Sequence, residues 1–378
     1  MLSGAPLRAG IIGGGFIAEV HSRAVRAAGH EVGGISASSR ASTRAAARRL
    51  GARQSFDSAA ELIASPEIDV IHICTPNDLH AEFSLAAIAA GKPVVCEKPL
   101  ATTLSDALML TEAARAAGVP TAVPFAYRYY PTIHEIRSRI QANEAGSLLL
   151  LHGSYLQDWL AEPLSTNWRV DPAKGGVSRA FADIGVHWCD LMEFVTGHRI
   201  VRIAANLTTS YLNRGESGLS LSVGTEDVAT VLFETDQSAV GSLTVSQISR
   251  GRKNRLWFSF DGTEGSYQFN QETPNELWIG GTDESRTIVS GTAGLRGEDA
   301  RRFAVLPAGH PQGYQDAFNA FVAEAYREFA GESATGLPTF EDGCRAAVIT
   351  EAVVMASTTK TWVDVPSQSV PARLRYAN

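Results

Sequence analysis

The feature that most constrains this chain is a run of three glycines, Gly13 to Gly15, between two apolar patterns of different period. Leu7 to Ile12 is a short apolar run that predicts a β-strand, and Phe16 to Ala28 has the spacing of a helix. With Ala18 as the third small residue, the loop fits the pattern G-x-G-x-x-A. Glycines at these places permit a tight turn and let a pyrophosphate approach the first N–H groups of the helix. Such a turn can be purely structural, but the order strand, loop, helix and strand favours dinucleotide binding.

Short apolar runs alternate with helical patterns as far as residue 125. Strands that alternate with helices are joined by right-handed crossovers, so this region predicts an α/β fold with a doubly wound parallel sheet. We assign residues 1–125 to a dinucleotide-binding Rossmann domain. Its predicted strands are Leu7–Ile12, Glu31–Ser36, Asp69–Cys74, Pro93–Cys96 and Pro120–Pro124, and its predicted helices are Phe16–Ala28, Ala81–Ala90 and Ser105–Ala117.

Beyond about residue 145 the pattern changes to successive strands. Gly241, Leu243 and Val245 alternate with more polar residues, a period of two that predicts a strand with one apolar face. Turn residues join neighbouring strands into hairpins. We assign residues 126–378 to an α+β domain with a large, mostly antiparallel, open-faced sheet. Its predicted strands are Ser147–Asp158, Ile200–Leu212, Val228–Glu234, Ala239–Gln247 and Arg255–Phe260, and its predicted helices are Asp183–Val195, Tyr314–Ala330 and Glu341–Thr359.

The end of the second strand bears on the choice of cofactor. An Asp or Glu there binds the ribose hydroxyl of NAD, but Ser38, Ser39 and Arg40 stand at this place instead. Two hydroxyls and a guanidinium suit a 2′-phosphate, so NADP is favoured over NAD. The alternative is that Ser38 or Ser39 caps the next helix and that Arg40 is solvated. In the glycine loop we expect Gly13, Gly15, Phe16 and Ile17 to contact the cofactor.

Further motifs follow in a fixed order along the chain. They are Thr75-Pro76-Asn77 with His80, Glu97-Lys98-Pro99, Trp168-Arg169, Gly175-Gly176, and Asp183 with His187. Together with the glycine loop, this set resembles the glucose–fructose oxidoreductase, inositol dehydrogenase and rhizopine-catabolism family (Gfo/Idh/MocA) over nearly the whole chain.

The resemblance implies catalytic roles for Lys98, Asp183 and His187. It also implies cofactor contacts, which fall on Thr75, Pro76, Asn77, His80, Glu97, Lys98, Trp168 and Arg169. Oxidation of a secondary alcohol needs a base for the hydroxyl proton and a donor to the developing alkoxide. His187 has a suitable ordinary pKa, Lys98 can donate or relay the proton, and Asp183 can orient the imidazole or bind a neighbouring hydroxyl.

The predicted substrate wall lies at the end of the first strand of the second domain. Tyr155, Gln157 and Trp159 offer groups that bind hydroxyls and an apolar stacking surface, which suits a sugar or cyclitol. The same run resembles that of family members acting on pyranosides and anhydrosugars, although a core strand with a polar end is an alternative. Arg128 and His310 are further candidates for substrate binding, together with Lys98, Asp183 and His187.

These observations predict an NAD(P)-dependent oxidoreductase that acts on a ring hydroxyl or ketone of a sugar, glycoside or cyclitol. Redox-assisted glycoside cleavage or epimerisation, with a recycled cofactor, is the alternative within enzymes. A catalytically silent ligand sensor on the same fold is the alternative outside them. His21 and His72 lie in apolar patterns and receive no role.

The open face of the sheet, which carries Trp257, predicts a homodimer or homotetramer.

Composition excludes several other classes. The 33 Lys and Arg against 40 Asp and Glu give a net charge of −7, so the chain has no overall positive field that would attract nucleic acid or an anionic membrane surface. The four cysteines are single, without the spacing of a zinc site, so no metal is expected. Met1 to Ala9 lacks the apolar core of a secretory signal, and no apolar run is long enough to span a bilayer. We therefore expect a cytoplasmic protein.

Overall fold

The computed structural model describes residues 5–215 and 221–366. Up to residue 141 its elements are β1 (Arg8–Ile12), α1 (Phe16–Ala27), β2 (Glu31–Ser36), α2 (Arg40–Leu50), β3 (Gln54–Ser55), α3 (Ala59–Ala64), β4 (Val70–Ile73), α4 (His80–Ala89), β5 (Val94–Cys96), α5 (Leu104–Ala117), β6 (Thr121–Ala122) and α6 (Pro131–Gln141). There follow β7 (Leu148–Leu156), α7 (Pro172–Gly175), α8 (Val186–Thr196), β8 (Ile200–Thr208), β9 (Asn213–Arg214), β10 (Leu221–Ser222), β11 (Val228–Thr235), β12 (Val240–Ser246), β13 (Arg255–Gly262), β14 (Ser266–Asn270), β15 (Glu276–Gly280), β16 (Ser285–Val289), α9 (Glu298–Phe303), α10 (Tyr314–Phe329), α11 (Phe340–Thr359) and β17 (Val363–Asp364).

The chain forms two compact units whose division differs from the predicted one. The first unit contains residues up to Ala126 and also Tyr314–Cys344, so the assignment of the whole of 126–378 to a second domain needs correction. The reason is that α10 packs against α1. The ring centroids of His21 and Phe318 lie 4.8 Å apart, and the Gln315 amide donates to the carbonyl of Val20 at 3.2 Å. A boundary drawn along the sequence does not reveal such a return of the chain.

The first unit is built around a six-stranded parallel sheet in the order β3-β2-β1-β4-β5-β6. This is the strand order of the dinucleotide-binding Rossmann fold, so the predicted fold class is confirmed. The predicted strands and helices are present with ends shifted by one or two residues. The elements β3 and α3 were not predicted, and α2 was foreseen only as the helix that Ser38 or Ser39 would cap. In α2 only Thr43, Ala46 and Leu50 are buried, and the many arginines of this helix obscure its apolar face.

Gly13 makes the junction of β1 with α1 possible. Its φ of +117° is open to glycine and costly for other residues. A Cβ at this place would lie 2.3 Å from the carbonyl oxygen of Cys74, which follows β4. The Gly13 N–H donates to the carbonyl of Ser36 at 2.8 Å, which fixes the turn to the end of β2. The glycine is therefore required both by backbone conformation and by space.

The second unit is built around a nine-stranded sheet in the order β16-β15-β14-β13-β7-β12-β11-β8-β17. All its neighbouring strands are antiparallel except β7 and β12, so the mostly antiparallel sheet is confirmed. One face is buried beneath helices that include α8, where the Trp188 indole donates to the carbonyl of Trp257 at 3.0 Å. The other face exposes large apolar side chains, among them Leu150, Leu232 and Val240.

Candidate active site

The start of α1 has the properties of an anion-binding site. Gly15 precedes the helix in an extended conformation and supplies no side-chain cap to its first N–H groups. A Cβ added to Gly15 would meet no atom within 4 Å, so the space in front of the helix is open. Phe16 is 75% exposed, and the buried hydroxyl of Thr75, after β4, has no hydrogen-bond partner among the described residues. An open helix start and an unsatisfied hydroxyl at the carboxyl ends of β1 and β4 fit a bound dinucleotide.

The residues around the start of α2 have partners within the protein. The Ser39 hydroxyl accepts from the Ser42 N–H at 3.2 Å, and the Ser42 hydroxyl accepts from the Ser39 N–H at 2.9 Å. Ser39 therefore caps α2, the alternative that the sequence left open. Arg40 forms an exposed ion pair with Asp57 at 2.6 Å. An exposed pair of this kind is weak, so the guanidinium can exchange Asp57 for another anion.

His80 connects the loops that follow β4 and β5. Its Nδ1 lies 2.8 Å from the carbonyl oxygen of Pro99, and its Nε2 lies 3.1 Å from that of Thr75. The ring is fully buried. Because both nitrogens face backbone carbonyls, the observed role of His80 is to hold together the two loops that carry the predicted cofactor residues. Direct contact of His80 with the cofactor stays a prediction.

Lys98 follows β5 at the edge of the parallel sheet where ligands bind in such folds. The preceding Glu97 is buried, and its Oε2 accepts from the backbone N–H of Lys98 at 3.2 Å. The sequence predicted this position for Lys98.

In the second unit, Asp183 lies in a single turn of π-helix, Phe181–Gly185, that leads into α8. The sequence predicted one regular helix here. The turn is anchored by Glu226, which accepts from the Phe181 N–H at 2.8 Å. Burial raises the pKa of Glu226, although the hydrogen bonds that its carboxylate accepts oppose the shift. Gly185 has no room for a side chain, since a Cβ there would lie 2.6 Å from the Phe181 ring. Such π turns occur often at functional sites.

Both carboxylate oxygens of Asp183 face a donor. The Gln247 amide donates to Oδ2 at 2.8 Å, and Nε of Arg169 lies 3.5 Å from Oδ1. Gln247 is itself held by Arg179, which donates to its Oε1 at 3.0 Å. Asp183 is therefore held in one orientation by a network whose inner members are buried.

A shared carboxylate stabilises this network. Asp227 is fully buried and accepts from Arg179 at 2.5 Å and from Arg214 at 2.7 Å. Burial alone acts to raise the pKa of Asp227, but the two guanidiniums hold it below its usual value. Breaking a buried pair of this kind costs about 3–5 kcal/mol because a charge is left uncompensated.

His187, in the first turn of α8, packs against two tyrosines. Its ring centroid lies 5.0 Å from that of Tyr127, edge to face, and 6.3 Å from that of Tyr155. The two tyrosine hydroxyls are 2.6 Å apart. Burial raises the pKa of Tyr127, and the charge of Asp183 adds to the shift, so this phenol stays protonated. Tyr127 is thus near both predicted catalytic residues of this unit.

The predicted substrate wall is a continuous chain of hydrogen bonds. The Trp159 indole donates to Gln157 Oε1 at 2.9 Å, and Gln157 Nε2 donates to Asn254 Oδ1 at 2.7 Å. The Tyr155 hydroxyl also donates to Asn254 Oδ1 at 2.7 Å, and Asn254 Nδ2 donates to Tyr127 at 3.2 Å. The structure therefore brings together Tyr155, Gln157 and Trp159, as the sequence predicted.

Two further candidates for substrate binding, Arg128 and His310, lie in different surroundings. Arg128 is buried in a two-point ion pair with Asp190, with Nε 2.8 Å from Oδ2, and its guanidinium lies over the Phe194 ring. This pair gives Arg128 a structural role, and its predicted substrate contact stays a prediction. His310 is exposed on the loop between α9 and α10, where its role stays a prediction.

Sequence reasoning missed Tyr127, Asn254 and Gln247. Tyr127 and Asn254 lie next to the predicted Arg128 and Arg255–Phe260 strand, but neither belongs to a recognised motif. Gln247 ends the predicted strand Ala239–Gln247, and the polar end of that strand was the available signal.

Two family models match this chain and together define its class. Residues 7–125 match the oxidoreductase family with an NAD-binding Rossmann fold, and residues 133–268 match the Gfo/Idh/MocA C-terminal domain. The chain is therefore an oxidoreductase with a nicotinamide-dinucleotide-binding domain. It belongs to the Gfo/Idh/MocA family, which confirms the resemblance noted in the sequence.

Several relatives match over nearly the full length. Levoglucosan dehydrogenase of Pseudarthrobacter phenanthrenivorans is 32% identical over 96% of this chain and 99% of its own. A levoglucosan dehydrogenase structure in complex with NADH and levoglucosan has a TM-score of 0.89 and 31% identity, over 96% of this chain and all of its own. An oxidoreductase domain protein from Kribbella flavida has the same TM-score, identity and coverage.

No helix in residues 5–215 or 221–366 is long and apolar enough to cross a membrane. Within the same residues, no group of three or more His, Cys, Asp or Glu side chains is placed to hold a metal ion.

The open space at Gly15 yields a direct prediction. We expect Gly15→Ala to fold with an unchanged melting temperature, because the added methyl group meets no protein atom. It should weaken dinucleotide binding by roughly tenfold or more, since the methyl group occupies the space that a pyrophosphate needs. Titration of NAD and NADP by intrinsic fluorescence measures the effect.

Gly224→Ala is the matched control, because a Cβ at Gly224 also meets no atom within 4 Å and lies in the other unit. Equal affinity in Gly15→Ala and Gly224→Ala would contradict a dinucleotide site at the start of α1.

Proposed function

We propose that this protein oxidises a ring secondary hydroxyl of a sugar, anhydrosugar or cyclitol, or reduces the matching ketone, with NAD(P). The observation that carries the proposal is the group formed by Asp183, His187 and the hydroxyl-binding wall around Asn254. Similarity to levoglucosan dehydrogenase over 96% of the chain supports an anhydrosugar or pyranoside substrate.

When bound, the nicotinamide supplies the hydride acceptor. His187 accepts the proton of the substrate hydroxyl, because imidazole is the side chain best suited to gain and lose a proton near neutral pH. Lys98 donates a hydrogen bond to the oxygen as it gains negative charge. Asp183, fixed by Gln247, binds a neighbouring hydroxyl or orients the imidazole. Thr75, Asn77, Trp168 and Arg169 are proposed to contact the cofactor.

The wall favours a compact polyhydroxylated ring. Tyr155 and Gln157 both donate hydrogen bonds to Asn254, so these wall side chains are held in place before substrate binds. Trp159 is 36% exposed and presents an aromatic face on which the apolar side of a sugar ring can stack. Fixed polar groups beside an aromatic face distinguish hydroxyl patterns by leaving an unsuitable ring with unpaired groups.

The proposed division of roles predicts a pattern of activity loss. His187→Ala should lower turnover by about 10²–10⁴-fold, because the proton acceptor is lost. Lys98→Ala should lower it by roughly 10²–10³-fold, the effect of losing a donor to the developing alkoxide. Each variant is assayed by reduced-nicotinamide absorbance with levoglucosan, glucosides and inositols, with both cofactors, beside cofactor titration.

His198→Ala is the control for the first variant, since His198 follows the end of α8, where its Nδ1 lies 3.0 Å from the Thr235 hydroxyl. Lys92→Ala, at the opposite end of β5, is the control for the second. Turnover of His187→Ala within about threefold of the wild type would reject His187 as the base and leave that role to Lys98.

We further propose that NADP is preferred over NAD. Ser39 is used as a helix cap, so the 2′-phosphate would be bound by Ser38 and by Arg40 after release from Asp57. Arg40→Ala should weaken NADP binding by about 1.5–3 kcal/mol and leave NAD nearly unchanged, because a charged hydrogen bond is lost. Arg53→Ala, which removes another exposed arginine paired with an acid, is the control. Tighter binding of NAD than of NADP by the wild type would refute this preference.

We also propose that the exposed face of the nine-stranded sheet joins copies of this chain into a dimer or tetramer. Leu150 and Val240 are neighbours on this face and are 40% and 53% exposed, and Leu232 is 54% exposed. An exposed apolar patch favours association. The mass of the wild type measured by light scattering should exceed the 40.3 kDa of one chain. The double variant Leu232→Asp, Val240→Asp should have the mass of one chain.

Leu164→Asp, at an exposed loop residue, is the control for this double variant. A wild-type mass of 40.3 kDa at micromolar concentration would contradict the proposal. We also propose a cytoplasmic location, which is supported by four free cysteines that are all buried.

A further inference from the structure

A buried chain of hydrogen bonds in the first unit ends on the residue that precedes Lys98. The Tyr326 hydroxyl lies 2.8 Å from Nε2 of His72, and Nδ1 of His72 lies 2.7 Å from Nδ1 of His21. Nε2 of His21 then lies 3.0 Å from Oε1 of Glu97. The four residues come from α10, β4, α1 and the end of β5. Such a chain is expensive to bury unless each member is satisfied.

The chain is shielded from water along its length. His21 and His72 are fully buried, Tyr326 is 1% exposed and Glu97 is 7% exposed. Its charged or titratable neighbours are Asp69 and His30 near Tyr326, and Cys74, Cys96 and Lys98 near Glu97. Burial raises the pKa of both thiols, so they remain neutral.

The donors and acceptors of the chain favour one direction. The backbone N–H of Lys98 can only donate, so Oε2 of Glu97 is an acceptor. Burial lowers the pKa of His72, and His21 adds to the shift, so His72 is neutral with one donor and one acceptor nitrogen. With a neutral His21, either Tyr326 donates to His72, His72 to His21 and His21 to a Glu97 carboxylate, or every bond is reversed. An imidazolium at His21 would donate to both His72 and Glu97, so that His72 would donate to Tyr326, as in the reversed direction.

The reversed direction requires a protonated Glu97 and makes the Tyr326 oxygen an acceptor. The Tyr326 O–H would then lack an acceptor among residues 5–215 and 221–366, in a fully buried position. An unsatisfied buried donor is costly. The forward direction satisfies every member.

We propose that Tyr326, His72 and His21 are positioning residues that hold Glu97 as a carboxylate, in one orientation, beside Lys98. Because Oε2 of Glu97 accepts from the backbone N–H of Lys98, the orientation of this carboxylate fixes the backbone from which the Lys98 side chain projects, and Lys98 is the proposed donor to the developing alkoxide. This part rests on the proposed function, in which Lys98 is catalytic. The direction of the chain itself does not depend on that function.

Nitrogen NMR of the imidazoles in the full-length wild-type protein tests the direction. We expect a neutral His21 protonated at Nε2 and a neutral His72 protonated at Nδ1, with signals assigned through the variants His21→Gln and His72→Gln. The opposite tautomer at either residue, or an imidazolium at either, would overturn the chain as proposed.

Turnover of matched variants tests the link to Lys98. Glutamine keeps one donor and one acceptor, whereas phenylalanine fills the space of the ring without either. His21→Phe should lower kcat by roughly 10- to 100-fold with unchanged cofactor affinity, and His21→Gln should restore most of it. Equal kcat in the two variants would reduce His21 to a packing residue and overturn the positioning role.

Tyr326→Phe removes one oxygen and tests the same link without altering a histidine. We expect a lower kcat at unchanged KM and cofactor affinity; wild-type kcat would contradict the role of Tyr326. If the wild type oxidises no sugar or cyclitol, the proposed function fails, and the tautomers still decide whether the chain runs as proposed.

Discussion

The close approach of Gly13 to the carbonyl of Cys74 is the constraint on which the first unit depends. A side chain at this place would collide with the backbone after β4, so β1 could not turn directly into α1. The turn leaves the first N–H groups of α1 facing open space at the carboxyl edge of the parallel sheet. It also sets the position of His21, one and a half turns into α1, against His72 of β4. The open start of α1 and the buried histidine chain therefore depend on the same turn.

The second unit depends on charges that are buried in compensated groups. Glu226 anchors the π turn that carries Asp183, and Asp227 is shared by Arg179 and Arg214. Buried ion pairs add little net stability, because the cost of removing charges from water offsets their attraction. Their effect here is on geometry: Arg179 holds Gln247, and Gln247 holds Asp183. A carboxylate fixed in this way does not have to be ordered when substrate binds.

Much of this arrangement could be predicted from the sequence. The glycine loop and the alternation of apolar runs predicted the parallel sheet, because these patterns depend on local backbone geometry and on burial. Asp183, His187 and Tyr155 were found through motifs. Gln247, Asn254 and Tyr127 were not, because their roles arise from contacts between residues far apart in the chain. Arg128 shows the same limit. Its buried partner Asp190 is 62 residues away, so the residues next to Arg128 in the sequence give no sign of the ion pair.

In the proposed reaction a hydride moves from a ring carbon to the nicotinamide. The most direct measurement is transfer of deuterium from levoglucosan deuterated at its ring carbons, with the reduced cofactor analysed by mass spectrometry and proton NMR. We expect one deuterium at the nicotinamide C4 of each reduced cofactor and a matching amount of keto sugar. Reduced cofactor without deuterium would contradict it, as would the absence of cofactor reduction with every deuterated anhydrosugar, glucoside and inositol tested.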